Sequence, residues 1–115
     1  MPFEVKENVT VGGVQVLELS GTMTMGGQLK QLEWKIEELI KNAQTKVVLD
    51  MAQVTYLDSS AIGVLVGCNG SLKIAGGGLR LVGVTERVQQ ILKITGLTSI
   101  IVSKATIDEA VESLT

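Results

Sequence analysis

The sequence predicts an α/β fold: an N-terminal β-hairpin, then alternating β and α elements, giving a mixed, mainly parallel sheet covered by helices. Three observations carry that expectation. Two strand-like runs are joined by Gly12-Gly13. From Leu29 onward the apolar spacing switches between a period of 3.6 and short β-rich runs. The chain has 115 residues, 45% apolar but only 3% aromatic, a length that suits one domain over 1–115 with an aliphatic core.

The elements follow in order. Residues 3–11 alternate roughly, with Phe3, Val5, Val9 and Val11 apolar, and Val14, Val16, Leu17 and Leu19 follow the glycine pair. Glycine accepts the positive φ that tight hairpin turns need. Residues 20–27 (SGTMTMGG) are rich in small residues and read as a loop. Leu29, Leu32, Ile36, Leu39 and Ile40 share one face of a helix that ends near Asn42, with Trp34 at the edge of the stripe. Residues 46–50 (KVVLD) read as a central strand, and MAQVTYLDSS after them as an irregular, turn-like stretch; Asp50, following the strand core, bonds loop amides. Ser60 to Ala75 is too long an apolar run for a strand and reads as a buried helix stopped by Gly76-Gly77-Gly78. Residues 79–84 form a strand. Thr85 caps a helix running to Ile94, and Gly96 ends it. Ser99 to Val102 is a last strand. Thr106 to Leu114 is a terminal helix with Ile107, Ala110, Val111 and Leu114 inward and Asp108 and Glu109 in its first turn, where the dipole favours them.

Composition narrows the function. Ten basic and twelve acidic residues give a net charge of -2 and are scattered, so no nucleic-acid footprint and no polybasic membrane patch is expected. The apolar runs fall short of the ~18 residues that span a bilayer, so no membrane insertion is expected. Met1 is followed by Pro2, Glu4 and Lys6 rather than by a basic and then an apolar stretch, so no signal peptide is read. A lone cysteine, Cys68, points to a reducing cytoplasm and reads as a small buried filler. There is no histidine, which removes the usual general base and the commonest metal ligand. No catalytic residue, metal or cofactor is expected. The glycine triplet is a helix stop, not a phosphate loop, because no G-x-x-x-x-G-K-[ST] occurs.

The sharpest local feature is Asp58-Ser59-Ser60-Ala61-Ile62-Gly63, directly before the buried helix. Capping alone accounts for Asp and Ser at such a place. A hydroxyl there is also well placed to receive a phosphate, since free N–H donors and the helix dipole favour negative charge. In parallel α/β sheets this edge is where ligands and partners engage.

Val47 to Gly63 (VVLDMAQVTYLDSSAIG) resembles the signature of the STAS family, named for sulfate transporters and anti-sigma factor antagonists. The similarity continues through Leu79–Val84 and through Val88–Leu97, which ends in Gly96-Leu97. The resemblance implies a non-catalytic bacterial switch in transcription regulation. The unmodified domain docks on an anti-sigma factor that is also a serine kinase, and the sigma factor is freed. The kinase phosphorylates the domain, docking is lost, and a serine phosphatase resets it. By position the phosphoacceptor is Ser60, with Ser59 as second choice and main helix cap, and Asp58 as the carboxylate that supports recognition. Many antagonists carry Gly-x-Leu-Asp after the second strand. Here Gly21-Thr22-Met23-Thr24 stands there, so Thr24 replaces a carboxylate. Thr24 and Met25 join the expected partner surface, and Met23 and Met25 read either as adaptable contacts or as core fillers. Two other readings stay open. One is a STAS scaffold that is never phosphorylated, in a stress-signalling complex or beside a lipid-transport permease. The other is an enzyme or small-ligand binder on the same fold, against which the missing histidine counts.

Overall fold

The computed structural model describes residues 2–6 and 8–115. Strands β1 (Glu4–Val5), β2 (Val9–Val11), β3 (Val14–Met23), β4 (Lys46–Leu57), β5 (Gly78–Val82) and β6 (Val102–Lys104) form a six-stranded sheet. Helices α1 (Gly27–Lys41), α2 (Ser59–Ile74), α3 (Glu86–Ile94) and α4 (Ile107–Leu114) connect or follow them. The first hairpin arm is two short pieces, β1 and β2. Both pair antiparallel with β3, in registers that differ by one residue. Gly12 (φ 56°) and Gly13 (φ 81°) make the two-residue turn, with both φ values positive as a type I′ turn demands. From β3 the strands run parallel in simple sequence, β3-β4-β5-β6.

That order dictates where the helices lie. Right-handed crossovers between strands added one after another put every connecting helix on the same face. Leu29, Leu32, Ile36 and Leu39 of α1, Leu65 and Leu72 of α2, and Val88 and Leu92 of α3 accordingly join one core with Leu17, Leu19, Leu49, Leu79 and Leu81 of the strands. The other face carries a smaller core, Val14, Val16, Val48 and Val82, covered by Ala110, Ile107, Val111 and Leu114 of α4. Strand alternation sorts these side chains: Leu17 and Leu49 face one core while Val16 and Val48 face the other.

Four boundaries differ from the sequence reading. The stretch read as the loop 20–27 is strand as far as Met23, and the turn-like 51–57 continues β4 beside it. The pairing shifts between Glu18 and Ser20 and again between Gly21 and Thr22, and β4 carries one extra residue at each shift. Bulges of this kind break the period of two, so the segment lost its strand signature. Each bulge has a side-chain tie. Asp50 Oδ1 accepts from the Ala52 N–H (3.0 Å), so the expected amide bond forms within a strand rather than a loop. Thr55 Oγ1 donates to the Gly21 carbonyl (3.4 Å). The last strand is Val102–Lys104, not Ser99–Val102. After Gly96 (φ 79°), a 3-10 turn over Leu97–Ser99 buries Leu97 and Ile101 instead. β5 stops at Val82 because Gly83 turns left-handed, at φ 66°.

Candidate functional site

The bulged ends of β3 and β4 bring the singled-out residues to one edge of the sheet. Asp58 follows β4 directly and is the N-cap of α2, with extended backbone angles. Its Oδ1 accepts from the Ala61 N–H (2.9 Å). Its Oδ2 accepts from the Met25 N–H (2.9 Å), thirty-three residues away in the chain. The Asp58 N–H in turn donates to the Met23 carbonyl (3.1 Å). One carboxylate thus closes the start of α2 and ties the loop between β3 and α1 against it. These donations, from Ala61 first and then Met25, hold the Asp58 carboxyl below the ordinary carboxylate range against a weaker opposing effect of burial. The capping role expected of Ser59 belongs to Asp58: Ser59 is the first helical residue and is exposed.

Ser60 is partly buried, in the first turn of α2. It sits on a groove of about 480 Å³ between the N-terminal turns of α1 and α2, lined also by Met25, Leu29, Lys30, Glu33 and Val64. The groove continues along the seam between the two helices as a second hollow of about 400 Å³. This hollow shares Glu33 and Val64 and reaches Gly63, Gly67 and Cys68. Thr24 is exposed in the tied loop. The two methionines divide: Met23 is fully buried in the core, as a filler, while Met25 is 80% exposed beside the groove. Cys68 is buried, and its thiol is pushed up to about 12, chiefly by desolvation, with the carboxylates of Glu33 and Glu37 adding to it.

Two features of this edge escaped the sequence. Lys30 and Glu33 lie off the apolar stripe of α1, yet both line the groove at Ser60. Arg87, in the first turn of α3, lies over the Tyr56 ring at 5.5 Å from its centroid. Tyr56 is two residues before Asp58, so α3 is bound to the same end of β4. Neither contact has a local sequence signal, because each joins residues about thirty positions apart. Among the described residues, no group of three His, Cys, Asp or Glu is placed to hold a metal ion, and no helix is long and apolar enough to cross a membrane.

The family model described as the STAS domain matches residues 5–113. The chain belongs to the STAS domain family. Its STAS relatives include a Thermotoga neapolitana protein assigned as an anti-sigma factor antagonist homologue. It is 34% identical over 82 residues, which cover 71% of this chain and 73% of the relative. A Listeria monocytogenes protein named anti-sigma-B factor antagonist is 38% identical over 71 residues, 58% of this chain and 62% of that one. Among solved structures, a Thermotoga maritima protein, also assigned as an anti-sigma factor antagonist, superposes with a TM-score of 0.83 at 28% identity. The match covers 97% of this chain and 93% of that chain. The mixed sheet, its mostly parallel strands and the four helices are therefore those of STAS structures.

Proposed function

We propose that this STAS chain is an anti-sigma factor antagonist, a binding protein rather than an enzyme, whose docking is switched by phosphorylation of Ser60. The partner is an anti-sigma factor with serine kinase activity, and a serine phosphatase restores the unmodified form. Ser60, exposed Ser59, Thr24 and Met25 form the docking surface, and Asp58 holds that surface in shape. The names of the Thermotoga and Listeria relatives support the antagonist reading. The observation that carries the choice of residue is the position of Ser60: in the first turn of α2, open to a groove and beside a tied loop, so a kinase reaches it without unfolding the core.

The chemistry is phosphoryl transfer from ATP. A bond forms between Ser60 Oγ and the γ-phosphorus, the bond to the leaving ADP breaks, and the hydroxyl proton passes to a base on the kinase. The product adds about -1.5 to -2 charges. Against a partner carboxylate ~6 Å away at an effective dielectric of ~20, each charge pair costs roughly 3 kcal/mol, about two decades of affinity. The switch needs no rearrangement of the fold.

The test is to recover the anti-sigma factor from the source cell, incubate it with this chain and ATP, and map the modified residue by mass spectrometry. Phosphate on Ser60, and none on Ser60→Ala, is the expected result. Stable complex formation with no phosphate transfer would favour the scaffold reading instead.

A further inference from the structure

The start of α2 is a poorer phosphate site than its sequence suggests. Asp58 already occupies the Ala61 N–H, and its carboxylate is held ionised two residues before Ser60. A phosphate on Ser60 therefore meets a neighbouring negative charge at a helix end where one of the donors is already taken. Glu33, across the groove, opposes it as well. The cation lining the groove is Lys30, in the first turn and a half of α1 on the opposite wall. Among the described residues, no carboxylate pairs with its ammonium.

We propose that Lys30 is the counter-cation of phosphorylated Ser60, bridging α1 and α2 across the groove. This deepens the reading of Ser60 as phosphoacceptor and rests on it. The phosphate dianion accepts from the Lys30 ammonium in a charge-assisted contact that offsets the neighbouring negative charge of Asp58 and Glu33. The bridge closes the mouth of the groove beside Met25. Phosphorylation then does two things at once: it adds negative charge to the docking surface and removes an apolar hollow from it.

The experiment installs phosphoserine at position 60 during translation and follows its second ionisation by phosphorus NMR. In the otherwise parental chain this ionisation falls about half a pH unit below that in the Lys30→Gln chain, as expected for one nearby cation in a wet site. Lys30→Arg restores the lower value, and phosphoserine placed at 59 titrates independently of residue 30. Coincident titrations in the parental and Lys30→Gln chains overturn the proposal, as does an equal dependence on residue 30 at position 59. The phosphate is installed without a kinase, so this result does not depend on the mapping of the natural acceptor. A kinase that modifies another residue would remove Ser60 from the switch without altering these titrations.

Discussion

Asp58 does more at this edge than its place in a short Asp-Ser-Ser motif suggests. It was legible as a carboxylate beside the proposed acceptor, but the sequence assigned the cap to Ser59. Capping preferences rank Asp and Ser together, so composition alone cannot choose between adjacent residues. What decides is that β4 runs on to Leu57, leaving residue 58 as the first extended position before the helix. Asp58→Ala should lower stability at pH 7 by about 1–2 kcal/mol, since it removes a cap and the tie to Met25. Asp58→Asn should lose less, because its single carbonyl oxygen still caps. The folded carboxyl titrates below its ordinary value of 3.8, so its stabilisation is present above that pH and is lost as the pH falls through the lowered value. Urea unfolding from pH 7 to pH 3 should show the gap between parent and Asp58→Ala closing only at the acid end.

Cys68 provides a second residue-scale check. Its thiol rises from 9.0 to about 12, so folded chains present little thiolate at pH 8. A thiol reagent should react roughly a hundredfold or more slowly with the folded chain than with the guanidinium-unfolded one. The sign for stability is the reverse of that for Asp58. The neutral thiol's contribution is intact below pH 9.0 and is lost as the pH rises toward and through about 12.

At the scale of elements, helices were read from sequence more closely than strands. The stripe Leu29, Leu32, Ile36 and Leu39 keeps a period of 3.6 and is buried as read, and Thr85 and Thr106 are the caps of α3 and α4. Strand β4 buries Val47, Val48 and Leu49, then Met51, Val54 and Leu57, a spacing of three set by the extra residues at its bulges. Alternation is lost there, and the segment takes on the sequence pattern of a turn. Trp34, placed at the edge of the α1 stripe, is 62% exposed. Glycines separate two kinds of constraint. A Cβ on Gly77 would lie 1.8 Å from the Thr45 carbonyl oxygen, so Gly77→Ala should destabilise by about 3 kcal/mol as the end of α2 is pushed off β4. A Cβ on Gly67 meets nothing within 4 Å, because that face of α2 opens on the seam with α1. Gly67→Ala should therefore raise stability by about 0.5–1 kcal/mol through helix propensity alone. Thermal unfolding of the two variants measures both.

At the scale of the molecule, the order of elements was readable and their distribution over the sheet follows from handedness. Three helices crowd one face, and α4 alone covers the other through Ala110 and its neighbours. The sequence had placed Ile107, Ala110, Val111 and Leu114 inward without saying which face they cover. Arg80 secures this arrangement, donating from Nε to Ser113 Oγ (2.9 Å) and from an amino group to the Ser113 carbonyl (3.3 Å). The parallel strands β3 and β4 end beside the start of α2, so Thr24, Met25, Asp58, Ser59 and Ser60 meet at one edge although all of α1 and β4 separate the first two from the rest in sequence. The groove between α1 and α2 was not legible, because it depends on how two helices settle over one sheet rather than on either helix. Under the proposed function, a partner that covers this edge senses charge at Ser60 without a change of fold.

The most direct measurement is calorimetric titration of the recovered anti-sigma factor into the unmodified chain and into the chain carrying phosphoserine at position 60. Binding about a hundredfold weaker to the phosphorylated form is expected, with both free chains folded and each unfolding in one cooperative transition. Equal affinity for the two forms would contradict it.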